Sequence, residues 1–429
     1  MSHATKRSCL RVAAGAGLAI ALVVGGSSTA WAQSGAGGAG GASGNTTPSC
    51  SDATLFPNPI IITGSSAFEP TASYFAVKAA AQTPAVTIIY NATGSCSGIA
   101  ALQGHTALTL VGDVYKTMDA NGKPVKTTCQ IDATPTYADV AISDVFYESC
   151  GNGAKPATIG DTQGPVQAML PIVAAANTAI TAISAEQAAN IWGCGAAGMI
   201  GMFTDDTSAN GIQQRSSTSG TQILMAKNIG VDAAAFKGHA NSTGGALLTS
   251  MAAGASAEPM QVIGFIAADA YKSALATTPP SPIHSLAFRG LGQTKAFYAD
   301  STATAQDRRN VRDGHYVIAG PEHMMATLTN GAPSASAKKF MDWVNGVTSI
   351  DASANTWIDL EATAGTIPQC AMTVTHTADG GPMAPFTPCK PCGCYYESKA
   401  TGVAPASCVA CSAGSPCAGG KACNYGFCE

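Results

Sequence analysis

The chain has 429 residues, 46% of them hydrophobic and only 11% charged, with 47 Gly, 23 Pro and 15 Cys. At roughly 100–200 residues per domain this length holds two or three cored units, and the ordinary apolar fraction excludes a disordered or fibrous chain. A formal net charge of −4 leaves no basic field for wrapping nucleic acid, which is excluded as a partner.

Lys6, Arg7 and Arg11 precede the apolar run VAAGAGLAIALVVGG, which ends in Ala30-Trp31-Ala32 before Gln33. A basic start, a short apolar stretch and a small-residue exit are the marks of a cleaved secretory leader over residues 1–32. No cysteine follows the apolar run at a lipid-attachment position, so the expected destination is the periplasm or the medium. A Gly/Ala/Ser-rich tether follows over 33–49, too poor in side chains to pack.

From Leu55 onward short apolar runs alternate with Ala-rich helical segments. PIIIT (59–63) leads into TASYFAVKAAAQ, VTIIY (86–90) into SGIAALQG, and ADVAIS (138–143) into VFYESC. Apolar runs of this length, each feeding a helix, predict parallel strands buried on both faces, hence an α/β sheet. Between the second and third runs, two alternating stretches flank Asn121-Gly122, the signature of a β-hairpin. A second α/β stretch begins with VQAMLPIVAA and continues through helical SAEQAANIW, a helix starting near Ser219, and strand QVIGFIA. HSLAFRG and HYVIAG predict further strands, and AKKFMDWVNGV and ANTWIDLEA predict amphipathic helices whose Phe340, Trp343, Val344, Trp357 and Leu360 form packing stripes.

Cys50, Cys96, Cys129, Cys150, Cys194 and Cys370 lie in the body, and eight more between Cys389 and Cys428. Even numbers in an exported chain predict three bridges in the body and four in the tail. Within the tail, Cys389-x2-Cys392 and Cys408-x2-Cys411 also have four-thiolate zinc spacing, but an oxidising compartment favours disulfides over a metal. The histidines show no close ligand pair and read as scattered surface or loop residues.

Three loops each follow a predicted strand and open a helix with small or hydroxyl residues: Thr63-Gly64-Ser65-Ser66-Ala67-Phe68, Thr93-Gly94-Ser95-Cys96-Ser97-Gly98 and Arg215-Ser216-Ser217-Thr218-Ser219-Gly220-Thr221. Helix starts expose unpaired N–H groups and a partial positive charge, so three at one sheet end predict an oxyanion cradle. A single loop of this kind is an ordinary capped turn. Arg215 adds a guanidinium fork suited to a tetrahedral oxyanion, and Asp144, after ADVAIS, is placed to accept the proton of a protonated anion.

With these loops the chain resembles the phosphate-type substrate-binding proteins of bacterial ABC importers, through most of residues 55–350. ITGSSAFEP is similar to that family's first loop, YNATGSCSGIAAL to its second, ADVAISD to the strand ending in the ligand-facing aspartate, and QRSSTSGT to its arginine loop. The resemblance implies an α/β, two-lobed type II periplasmic-binding-protein fold with a central cleft, plus a small disulfide-rich C-terminal module. Lobe one would comprise 50–165 and 280–385, lobe two 166–279, and the Cys-rich tail 386–429. It also implies hinge closure on a phosphate-like oxyanion, delivery to membrane ABC importer subunits, a monomer, and no cofactor, metal or catalysis. Ser66, Ala67, Phe68, Ser95, Asp144, Arg215, Ser217, Ser219, Gly220 and Thr221 would line the cleft. Ser217 stands where the family has an aspartate facing the arginine, and Ala67 where it offers a threonine hydroxyl, so reading of the anion's protonation falls to Asp144 alone.

Two other functions fit parts of the sequence. A surface adhesion or matrix protein would keep the lobes as scaffold and act through the tail. A hydrolase would use Cys96 at the centre of Gly94-Ser95-Cys96-Ser97-Gly98, a nucleophile-elbow pattern that requires a free thiol.

Overall fold

The computed structural model describes residues 47–109, 111–131, 135–195, 203, 211–412, 414, 415 and 417–429. The expected leader and nearly all of the tether therefore lie outside the described residues. Strand β1 (Pro59–Gly64), helix α1 (Glu69–Ala80), strand β2 (Thr87–Asn91) and helix α2 (Ser95–Gln103) form the first two strand-helix units. The hairpin follows as β3 (Val111–Met118) and β4 (Pro124–Gln130), then β5 (Val140–Ser143). Beyond β5 the chain makes only a 3-10 turn at Tyr147–Cys150 before entering the 16-residue strand β6 (Ile159–Ala174).

Strand β7 (Ala182–Ser184) and helix α3 (Ala185–Cys194) are joined by a capping box, in which Ser184 and Gln187 satisfy each other's backbone amides. Next come β8 (Gln213–Arg215), α4 (Gly220–Ile229), β9 (His239–Asn241), α5 (Gly244–Ala257), β10 (Ile263–Ala267) and α6 (Ala268–Leu275). The return part contains β11 (Ile283–Ser285), β12 (Ala287–Arg289), α7 (Arg309–Arg312), β13 (Ala319–Thr327), α8 (Ala335–Val344) and α9 (Thr356–Ala364). Short strands β14 (Val374–His376) and β15 (Met383–Pro385), helix α10 (Gly393–Thr401), and strands β16 (Cys423–Asn424) and β17 (Phe427–Cys428) complete the chain.

The main sheet runs β10-β6-β13-β5-β1-β2-β3-β4. β1 pairs in parallel with β2 and β5, as the buried apolar runs predict. The remaining pairings along that path are antiparallel, so the sheet is mixed. β6 is long enough to serve two regions. Its first part pairs with β13, and from Met169 to Ala174 it pairs with β10 and β11. Two α/β regions thus share one continuous strand, and the fold is the expected two-lobed α/β arrangement with a disulfide-rich C-terminal region.

Two expectations are corrected, and one element is new. HYVIAG contributes only its last two residues to a strand, since β13 begins at Ala319. Helix α5, which buries Gly244, Leu247, Met251 and Gly254 along one face, has no counterpart among the predicted elements. His323 and His376 are buried rather than scattered on the surface, and His323 Nδ1 donates to the Asp161 carboxylate at 2.9 Å. The aromatic stripes of α8 and α9 are core, as expected.

The cysteine pairing differs from the segment-by-segment count. Cys50–Cys129 and Cys96–Cys150 lie within the body, whereas Cys370–Cys392 joins body to tail. Cys394–Cys408, Cys411–Cys423 and Cys417–Cys428 staple the tail, Cys194 is disulfide-bonded, and Cys389 is free and exposed. One bridge crossing the boundary makes the two counts interdependent. Cys392, Cys408 and Cys411 are committed to bridges, so no four-thiolate zinc site exists at that spacing. No helix among the described residues is long and apolar enough to cross a membrane.

The tail is welded to the body. Buried Glu397 of α10 takes Arg309 and, at 2.8 Å, Arg312 of α7, and Tyr396 and Cys392 belong to the main core. Replacing Cys370 and Cys392 together by Ser should lower unfolding free energy by about 2–4 kcal/mol in denaturant titration under non-reducing conditions. An unchanged midpoint would mean that packing alone holds the tail.

Candidate functional site

Three loops meet at the carboxyl ends of β1, β2 and β5. Gly64 lies at φ +120°, and a Cβ there would sit 2.1 Å from the Ile142 carbonyl oxygen, so only glycine lets the first loop cross β5. Ser65 N–H donates to that same oxygen at 2.9 Å, and Gly94 N–H donates to the Gly64 carbonyl at 2.7 Å. The third loop joins them through Cys96 N–H, which donates to the Thr218 carbonyl at 3.2 Å. Separate turns, far apart in sequence, are therefore hydrogen-bonded to one another.

Asp144 is the knot. Ser65 Oγ and Thr221 Oγ1 donate to its carboxylate, the latter at 3.2 Å, and its own N–H donates to Ser95 Oγ at 3.2 Å. Gly220 is forced by this contact, because a Cβ there would lie 2.3 Å from Ser95 Oγ and 2.9 Å from Asp144 Oδ2. Ser95, Asp144, Gly220 and Thr221 are all buried in this knot, and Ser219 is buried next to it in sequence. Burial raises the Asp144 carboxyl above its ordinary value, opposed by Ser65, Arg215 and Thr221.

Arg215 ends β8 and is only 3% exposed. Its Nε donates to the Asn241 carbonyl at 3.2 Å, and Nη2 to Ser66 Oγ and the Ser242 carbonyl, each at 3.1 Å. Among the described residues no carboxylate lies within 4.0 Å of the guanidinium, and Nη1 has no hydrogen-bond partner. Burial lowers its pKa to about 10, with Asp144 acting in the opposite direction, so it remains a cation at neutral pH.

Beside this guanidinium opens a cavity of about 520 Å³. Ser66, Ala67 and Arg215 line it, together with Gly244 and Gly245 at the start of α5. The backbone N–H groups of those two glycines have no acceptor among the described residues, and a Cβ on Gly244 would lie 3.8 Å from Arg215 Nη1. A helix start and a partly unpaired, buried guanidinium therefore face the same space. On the far side Lys123, at the hairpin turn, donates to the Ala276 carbonyl at 3.1 Å, which makes the hairpin an outer wall.

Not all of the predicted residues meet here. Phe68 is fully buried in the core, leaving only its backbone near the first loop. Ser217 is exposed and lines a separate depression with Cys96, Ser149 and Cys150, so its hydroxyl lies apart from the knot and the cavity. Cys96 is bonded to Cys150 and offers no thiolate nucleophile. Sequence reasoning missed Gly244 and Gly245, although Thr243-Gly244-Gly245 is a recognisable helix start with Thr243 Oγ1 accepting from Ala246 N–H at 3.1 Å. It also missed Glu322, an acid inside β13 that alternation alone cannot distinguish from an exposed one.

No family model matches the chain, and no curated protein does. Solved structures of similar shape include an ABC-type phosphate transport receptor from Vibrio cholerae, at 16% identity and a TM-score of 0.43 over 72% of this chain and 99% of that one. PstS from Borrelia burgdorferi gives 17% and 0.38 over 72% and 98%. The regulatory domain of Synechocystis CcmR, in complex with 2-PG, gives 11% and 0.37 over 68% and 98%.

The knot sits next to further buried acids. Burial, then the charges of Asp144 and Asp269, push the Glu322 carboxyl well above its ordinary range, and burial does the same to Asp269 and Glu361. These groups bind protons more tightly folded than unfolded, so stability falls as pH rises above the ordinary carboxylate range. Asp52, Asp119, Asp307 and Asp351, which are shifted downward, act only below that range, and His376, which burial lowers, opposes the trend by one group against three. The urea midpoint should therefore be higher at pH 5.5 than at pH 7.5, and Glu322→Gln should flatten that difference. A midpoint that climbs toward pH 7.5 in the native chain would contradict the assignment.

Proposed function

We propose that this protein is an exported solute-binding protein that captures a phosphate-like oxyanion in the cavity beside Arg215 and passes it to membrane subunits of an ABC-type importer. The observation that carries the reading is the guanidinium itself. A cation withdrawn from water is costly unless an anion or a full set of acceptors compensates it. Here the described residues supply two carbonyls and one hydroxyl, and leave one nitrogen without a partner among them, beside a cavity that also receives a helix start.

A tetrahedral oxyanion supplies what is missing. It would take charge-assisted hydrogen bonds from Arg215, a hydroxyl bond from Ser66 and amide bonds from Gly244 and Gly245. Ser95, Gly220 and Thr221 act behind this surface by fixing Asp144, which holds the arginine loop against the first loop, while buried Ser219 closes that loop through its own backbone. Asp144 also places a negative charge near the guanidinium and disfavours anions carrying the most charge. The disulfides among the described residues fit an oxidising, extracytoplasmic compartment, consistent with the leader read in the sequence.

Calorimetry with phosphate, sulfate and arsenate tests the reading directly. Binding of at least one of them should be lost or weakened by about 2 kcal/mol or more in Arg215→Ala, roughly thirtyfold in affinity. An affinity that does not change would place the anion elsewhere.

A further inference from the structure

The cavity is far larger than an inorganic oxyanion requires. At about 30 Å³ per water-sized volume, a tetrahedral oxyanion occupies roughly 60–90 Å³ and leaves most of the about 520 Å³ unfilled. Cavities of this size are typical of sites for small organic ligands.

The remaining wall has its own chemistry. Lys123 and Lys272 line it, and neither has a carboxylate within 4.0 Å among the described residues, while Lys126 is committed to Glu69 at 3.0 Å and Asp113 at 2.6 Å. Burial lowers Lys272 to about 8, so it still carries charge at neutral pH, and its Nζ reaches the Ala362 carbonyl at 2.7 Å. Leu248 and Ile266 line the same cavity, apolar side chains with no use to a bare inorganic ion. The lining therefore combines an anion-binding inner end, further cationic groups and an apolar patch.

We infer that the cargo is a phosphomonoester of a small polar organic molecule, bound with its phosphoryl group at Arg215 and its organic body between the lysines and Leu248. This rests on the oxyanion reading above and specifies its substrate class. Lys123 sits at the hairpin turn and bonds across to the segment after α6, so the hairpin would close over the organic body rather than over the phosphoryl group.

Calorimetry of the full chain with inorganic phosphate, glycerol 3-phosphate, glucose 6-phosphate and phenyl phosphate tests the inference. At least one ester should bind tenfold or more tightly than inorganic phosphate, and Leu248→Trp, which fills the outer space, should weaken that ester at least tenfold more than it weakens phosphate. Inorganic phosphate binding as tightly as every ester, or equal losses for ester and phosphate in Leu248→Trp, would overturn the inference and leave the oxyanion reading standing. If none of the four binds, this inference falls, and the oxyanion reading falls with it only if sulfate and arsenate also give no heat. The ester comparison on the native chain decides the matter even where the tryptophan variant fails to fold.

Discussion

A guanidinium held out of water, with no carboxylate against it among the described residues, is the constraint on which this site depends. Among the described residues Arg215 is kept in place by neutral groups, the carbonyls of Asn241 and Ser242 and the hydroxyl of Ser66. Such groups orient a cation without cancelling its charge, so the field at the cavity's inner end stays positive. Asp144 is close enough to raise the arginine's pKa, yet its carboxylate accepts from Ser65 and Thr221 and is not in contact with the guanidinium. Separation of the two charges is what leaves the arginine available to a third.

That separation is enforced by backbone packing. Gly64 lets the first loop lie on β5, Gly98 of α2 packs against Gly64, and Gly220 brings the start of α4 against Ser95 and Asp144. At each position a methyl group would collide with backbone or with a buried polar atom, so the loops are locked at a spacing that larger residues could not reproduce. The knot is a support for the anion surface rather than the surface itself. The hydroxyls of Ser95 and Thr221 are spent on Asp144, and the groups that face the cavity are Ser66, Arg215 and the first amides of α5.

The C-terminal region follows a different physical logic. It has few aliphatic residues, and its own bridges staple it into shape. It nevertheless ends as part of the body, because Tyr396 and Cys392 enter the main core and Glu397 takes two arginines of α7. Tyr395 adds a bond from its hydroxyl to Asp359 of α9 at 2.9 Å. Truncating this region would therefore expose core and strand the cations of α7, which ties its presence to stability of the return part of the fold.

Much of this was legible in the amino-acid order, because it is local. Ile-rich runs specify buried strands, Asn121-Gly122 specifies a hairpin, and Gly and Ser after a strand specify a helix start, whatever the rest of the chain does. The loop residues converging around Asp144 belong to this legible set, and so does Arg215 as the notable cation. What the tertiary structure alone decided depends on distances between segments remote in sequence. Such distances fixed which cysteine crosses from Cys370 to the tail, turned Ser217 away from its neighbours, and committed Asp144 to the loops. They also set the second helix start, at Gly244, beside Arg215. Local propensity has no access to them, since packing of the whole chain settles which groups finally meet.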